Sequence, residues 1–361
     1  MNMKKFILET SLLQAGDVIC TREDSSSSHL VRKSLSCDYS HVLLYVADSS
    51  CIHADAQGVH SVNTQRVMLN SKVDFKVLRH IPAQNLNAES IDNICNYARS
   101  KVGTEYSKID AAKSGISRKT KKKLKIRSRY QFCSRLVAES FEFGACSFFD
   151  PATLCTPADI LDSKSFREIE GVVREATADE IEFANNASRN GIAKQTAITN
   201  SILQDAKVIT RKNIQTFDDL FQAVIDNPEL DEPMEALIKN SGYLTMWATD
   251  IINNPWRYFR NNYLSIDLFQ QLRLNGVERE LKMARADQKR YNTMRLSLLK
   301  AHESAPRKTF EQHIILYQVL QSLADQRVAL FEWLREKVID SNPRKAEADS
   351  VPPNECDNRI G

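Results

Sequence analysis

"SHVLLYVADSSCIHADAQGVHSVNT", residues 40–64, sets the class of fold. Residues 40–47 form the strongest strand signal in the chain, an apolar run rich in Val, Leu and Tyr. Residues 50–64 read as a strand, a turn over Asp55–Gly58 and a returning strand, which is the pattern of a hairpin. Working outward, "AGDVICT" (15–21) enters a short strand from a Gly-Asp turn, and "DFKVLRHI" (74–81) supplies another. "SSSSHLVRKSL" (25–35) reads as a loop leading into a helix with serine as its cap. In "NAESIDNICNYARSKVG" (87–103), Ile91, Ile94 and Ala98 recur at helical spacing and Gly103 ends the helix. Residues 1–170 are therefore expected to form an α+β domain with about four or five strands and two or three helices.

Strand signals fade from about Gly171, and helical periodicity takes over. The longest example is 310–340, where Ile314, Leu320, Leu323, Leu330, Leu334 and Val338 give a broad apolar face. A helix of that length would run roughly 45 Å, which suits a bundle or a coiled-coil partner. The expected organisation is an α+β domain over 1–170, a linker over 171–195, an all-α helical interaction domain over 196–341 and a disordered tail over 342–361.

The 361 residues are 42% hydrophobic and 26% charged, with a net charge of +3, so a normal core is expected and no global polyanion partner is implied. The eight cysteines contain no CxxC pair, which excludes the common zinc-finger and redox spacings and favours free thiols. No metal or cofactor is expected. The N-terminus has no unbroken apolar run followed by a cleavage point, and no stretch approaches the ~20 apolar residues that span a bilayer. The expectation is a cytoplasmic protein, with delivery as an effector or toxin as the alternative.

"YQFCSRLVAESFEF" (130–143) raises the chemical question. Leu136, Val137, Ser140 and Phe141 follow Cys133 at i+3, i+4, i+7 and i+8, one stripe of a helix that Gly144 stops. Cys133 then lies in the first turn, where unpaired N–H groups and the helix dipole favour an anion and lower a thiol pKa from ~8.5. The competing reading is a buried thiol, since free cysteine is among the most buried residue types. A nucleophile needs a base, and His41 opens one strand while His53 lies on the next. If those strands pair antiparallel, the two imidazoles become neighbours on one face, one as base and one fixing its tautomer.

"LQAGDVIC", "YSHVLLYV", "IHADAQGV", "VGTEYSKID", "YQFCSRLVAESF" and "TPADILDS" occur in an order that resembles the YiiX/YaeF-like branch of the permuted NlpC/p60 papain-like cysteine hydrolases. The resemblance covers residues ~12–165 and none of the helical half. It implies a circularly permuted papain-like (NlpC-type) antiparallel sheet with packed helices, in which the histidine strand precedes the cysteine helix. Residue by residue, Cys133 matches the nucleophile and His41 the base. The third polar position falls on His53, with Asp55 as the alternative. Tyr106 matches a tyrosine that assists the oxyanion or positions substrate, and Ser40, Gly103 and Ser134 join it as the expected substrate-binding positions. The implied chemistry is attack on an amide, ester or thioester of a peptide, peptidoglycan or lipid substrate, ending in hydrolysis or acyl transfer. The alternative is a catalytically silent papain-like interaction protein that works through its helices and its basic segment.

That segment, 113–129, holds Lys113, Arg118, Lys119, Lys121, Lys122, Lys123, Lys125, Arg127 and Arg129 with no acid inside it. The plain expectation is a solvated loop, and the functional one is contact with an anionic membrane surface. Lacking interleaved aromatic residues, it gives no reason to expect specific nucleic acid. The C-terminal helices are expected to bind a protein partner or to self-associate.

Overall fold

The computed structural model describes residues 4–47, 49–81, 87–120, 128–263 and 266–340, and these fall into two compact units that divide between Tyr243 and Leu244. The first unit begins with β1 (Phe6–Leu8), β2 (Val18–Thr21), α1 (Ser26–Leu35), β3 (His41–Ala47), β4 (Ser50–Asp55), β5 (Gly58–Asn63) and β6 (Phe75–His80). It continues with α2 (Ala88–Ser100), α3 (Lys108–Thr120), α4 (Cys133–Phe143), α5 (Pro157–Asp162), β7 (Phe166–Glu168), β8 (Val173–Glu175), α6 (Ala178–Asn185), α7 (Gly191–Thr210), α8 (Phe217–Asp226) and α9 (Asp231–Asn240). A six-stranded antiparallel sheet runs β5-β4-β3-β2-β6-β7, and β1 pairs with β8 in a small second sheet.

The α+β class is as expected, with antiparallel sheets. The strand count is higher than expected because β1, β7 and β8 are three residues each, too short for an alternating pattern to show. β8 also lies past Gly171, where strand signals were read as ending.

β3 is buried on both faces, which is why its sequence is continuously apolar rather than alternating. Val42, Leu44 and Val46 join a core with Leu136, Val137 and Phe141 of α4. Leu43 and Tyr45 face a second core with Leu8, Ile19, Cys51, Phe75 and Val77. The 55–58 turn closes the β4–β5 hairpin, with Asp55 opposite Gly58. Gly58 has φ +93°, and a Cβ there would meet the Thr104 carbonyl oxygen at 2.7 Å, so only glycine fits.

The Gly-Asp pair before β2 is a structural corner. Gly16 (φ +92°) donates its N–H to the Tyr45 carbonyl, and the buried Asp17 carboxylate takes a two-pronged bond from Arg79 at 2.7 Å on each oxygen. Asp17 accepts a further bond from the Gln14 N–H at 2.8 Å.

The predicted boundary at 170/196 does not coincide with the break between units. The helices from α6 to α9 belong with the sheet: Lys207 pairs with Glu105, Asn200 donates to the Gln57 carbonyl, and Gly103 sits under Leu203 and Gln215. A helical period reveals an amphipathic face but not which surface that face covers.

The second unit contains α10 (Trp247–Asn253), α11 (Ile266–Ser304) and α12 (Lys308–Asp340). α11 and α12 form an antiparallel hairpin around Val277, Leu281, Leu330, Phe331 and Leu334. Its seam also buries Arg327, held by Asp287 at 2.8 Å and Glu280 at 3.3 Å. Leu330 and Leu334 are buried as the stripe predicted, whereas Ile314, Leu320 and Leu323 are half-buried; the side chain of Val338 is outside the described part. The expected tail, 342–361, lies outside the described residues. Among the described residues no helix is long and apolar enough to cross a membrane.

Candidate active site

Cys133 opens α4, whose N-cap, Phe132, offers no side-chain cap. The first-turn N–H groups are therefore left for the thiol. Sγ lies against the N–H groups of Cys133, Ser134 and Val42. The β3–β4 pairing ends at Leu44↔Ile52, and beyond it Val42 turns its N–H toward the sulfur.

The loop entering α4 is held by a buried network that sequence reading missed. Glu139, nearly two turns along α4, accepts from Tyr97 Oη (2.9 Å), Gln131 Nε2 (2.7 Å) and Arg135 Nε (2.7 Å). Arg135 in turn donates to the carbonyls of Ser128 (3.2 Å) and Tyr130 (2.8 Å). Gln131 exchanges backbone bonds with Glu105 and Ser107. An i,i+4 Arg/Glu pair was legible in the sequence; its enclosure, which makes it a clamp rather than a surface pair, was not.

His41 and His53 meet as the strand pairing predicted. Continuing the β3–β4 register sets His41 diagonally across from His53 on one face, and their side chains join through His41 Nε2 and His53 Nδ1 at 2.8 Å. That bond leaves His41 Nδ1 without a protein partner among the described residues. His53 in turn lies against His60, its register partner on β5, with ring centroids 4.3 Å apart. His60 went unnoticed in the sequence, although its position in the hairpin fixes it opposite His53.

Burial governs the protonation of all three reactive groups. It pushes the Cys133 thiol up to about 11, against the pull of the surrounding N–H groups, and it brings His41 down to about 4. His53 is held well below the ordinary histidine value, first by burial and then by its histidine neighbours. The lowered thiol pKa expected from the helix N-terminus is thus not found: Cys133 is 7% exposed, and desolvating a thiolate costs more than three N–H groups return. At rest the Cys133 thiol and the His41 and His53 imidazoles are all neutral.

Tyr106 packs at the edge of the Cys133 core through an isolated bridge with Gln131. Burial raises its phenol, and the charges of Cys133 and Asp55 add to that. Its hydroxyl has no protein partner among the described residues.

Three of the expected substrate-binding residues, Ser40, Ser134 and Gly103, make structural contacts. Ser40 shares a 2.5 Å hydrogen bond with Ser28, tying β3 to α1. Ser134 is fully buried and donates to the Cys155 carbonyl at 2.7 Å, anchoring α4 to the start of α5. Gly103 (φ +95°) lies where a Cβ would meet the Gln215 carbonyl oxygen at 2.7 Å, a packing constraint.

The basic segment is partly helix rather than loop, since α3 extends to Thr120. Acids outside it neutralise part of it: Lys113 pairs with Asp110 one turn earlier on α3 at 3.2 Å, and distant acids take Arg118 (Asp159 and Asp162) and Arg129 (Asp219, at 2.5 Å). Lys121, Lys122, Lys123, Lys125 and Arg127 lie outside the described residues.

No protein-family model matches this chain, and no curated protein matches it.

Proposed function

We propose that the first unit is a cysteine hydrolase or acyltransferase of the permuted NlpC/p60 papain-like type, acting through an acyl-Cys133 intermediate with His41 as base. The observation that carries this reading is the His41 Nε2–His53 Nδ1 hydrogen bond, which leaves His41 Nδ1 unclaimed one residue before Val42, whose N–H meets the sulfur of Cys133 at the start of α4. With a neutral resting pair, proton transfer accompanies attack. The Cys133 S–H proton passes to His41 Nδ1 as the sulfur bonds to the carbonyl carbon. The N–H groups of Cys133, Ser134 and Val42 then temper the developing negative charge. Collapse of the tetrahedral adduct expels the amine, alcohol or thiol, which takes the proton back from His41. Water, or an acceptor hydroxyl or amine, gives a proton to His41 and attacks the thioester, returning the thiol.

The substrate class we favour is lipid acyl chains at an anionic surface. Ile109 and Ile116 share one face of α3 and are strongly exposed, as is Leu30 on neighbouring α1, and the Lys/Arg-rich segment follows directly. A polybasic run contributes about 1 kcal/mol per residue near such a surface. Peptide and peptidoglycan amides are the other substrates of this chemistry. A second reading, a silent papain-like interaction protein, is favoured by the enclosed, protonated state of Cys133. In that reading the helical hairpin supplies the binding surface for a protein partner or a second copy.

Intact-mass analysis after incubation with lipid, peptide and peptidoglycan extracts decides between them. A mass adduct absent from Cys133→Ala supports catalysis and names the acyl group. Activity that survives Cys133→Ala, or the absence of any adduct, supports the silent reading.

A further inference from the structure

His53 has a second ring nitrogen that the proposed catalysis leaves over. Its Nδ1 faces His41, while its Nε2 is sealed from solvent without a hydrogen-bond partner. Buried polar atoms are nearly always satisfied, so an orphan of this kind requires an explanation. The surroundings offer one. His60 stands opposite His53 on β5, and Asp55 follows two residues later on the same face of β4, its carboxylate 3.6 Å from His60 Nδ1. One ligand atom from each of His53, Asp55 and His60 lies within 4.8 Å of the others. The hairpin register fixes all three positions. Two imidazoles and one carboxylate form a donor set suited to zinc, with one position left for water.

We propose that His53 Nε2, Asp55 and His60 form a site for a divalent transition metal of the zinc class, and that filling it disables His41 as a base. The second half rests on the reading of His41 proposed above. Without metal, His53 carries its proton on Nε2 and accepts at Nδ1 from His41 Nε2–H, leaving the lone pair of His41 Nδ1 for the Cys133 proton. Metal takes the lone pair of His53 Nε2, so His53 must carry its proton on Nδ1 and donate it to His41 Nε2. His41 then holds its own proton on Nδ1, where it cannot accept one from the thiol. In sum one proton moves from His53 Nε2 to His41 Nδ1, and both rings stay neutral. Outer hydrogen bonds fix the tautomer of a metal-bound histidine; here the same coupling runs from the metal to the base.

The test uses the full chain carrying Cys133→Ala, which removes the thiol as a competing metal ligand, and reads metal uptake without reference to activity. Titration with Co²⁺ is expected to give one equivalent with visible ligand-field bands and no thiolate-to-metal charge transfer. Adding His60→Gln or Asp55→Asn should weaken uptake by at least about tenfold, with circular dichroism showing that the fold persists. Absent uptake, or uptake indifferent to both substitutions, overturns the site. For the coupling, ¹⁵N-histidine spectra should show the His41 proton moving from Nε2 to Nδ1 on saturation with Zn²⁺; an unchanged tautomer overturns it. Adduct formation on Cys133 in metal-free protein tests the catalytic reading separately, so the two can fail independently.

Discussion

His41 Nε2 and His53 Nδ1 sit 2.8 Å apart across the end of the β3–β4 pair, and this single bond sets which nitrogen of His41 is free. Replacing His53 with Ala removes the acceptor that holds the tautomer. Reaction of Cys133 with an acyl probe should fall about 10²–10⁴-fold, the range of a lost general-base contribution, with little change in thermal midpoint. His41→Ala should cost at least as much. Labelling that is indifferent to both substitutions would remove the histidines from the mechanism.

The protonated state of Cys133 predicts a distinctive alkylation profile. Burial raises the thiol to about 11, so iodoacetamide modification should climb steadily with pH above 8 and level off only near 11. A thiolate–imidazolium pair would instead give a plateau near neutrality. The comparison is made between the wild-type protein and Cys133→Ala, to subtract the remaining thiols.

Glu139 is the positioning residue of the nucleophile loop. Its carboxylate gathers Tyr97, Gln131 and Arg135, and Gln131 lies two residues before Cys133. Glu139→Ala leaves Arg135 enclosed without its partner and should destabilise the unit by roughly 3 kcal/mol. Glu139→Gln keeps an acceptor and should recover acyl-probe labelling at a temperature where both variants are folded. A merely structural role would leave the labelling of the folded alanine variant unchanged.

How much of this could be read from residues alone follows from the range of each interaction. Ser25 capping α1, the 88–100 helix, the β4–β5 hairpin and the placement of Cys133 at a helix start all depend on neighbours a few residues away, and all were legible. The same local logic brought His41 and His53 together. What stayed hidden required distant partners: Arg118 meeting Asp159 and Asp162, Arg129 meeting Asp219, or Arg327 enclosed between Asp287 and Glu280. The thiol pKa was misread for the same reason. Helix position is a local fact, whereas desolvation is set by everything packed around the sulfur.

The Asp17–Arg79 pair should carry more stability than any surface ion pair here. Asp17 is 1% exposed and its carboxylate receives two bonds from Arg79 and one from the Gln14 N–H. Asp17→Ala leaves the guanidinium facing a buried corner between β2 and β6 and should cost about 3–5 kcal/mol. Chemical denaturation of the full chain checks this, and a loss below about 1 kcal/mol would show that the corner tolerates the change.

Acid should release the end of the small sheet first. Glu180 caps α6 in a reciprocal pair with Thr177 and holds Arg174 of β8 at 2.6 and 2.8 Å. The Arg174 guanidinium, the largest influence on it, brings the Glu180 carboxyl down to about 2 from the usual 4.5. Because the folded pKa lies below the unfolded one, the pair stabilises fully above about pH 4.5. That stabilisation is lost as pH falls toward 2. Solvent reaches the pair, so its worth at neutrality is about 1 kcal/mol. Glu180→Gln should therefore lower the thermal midpoint at pH 7, and its difference from wild type should shrink as the pH is taken from 4.5 to 2. A difference that stays constant across that window would assign the stability to packing of α6 rather than to the ion pair.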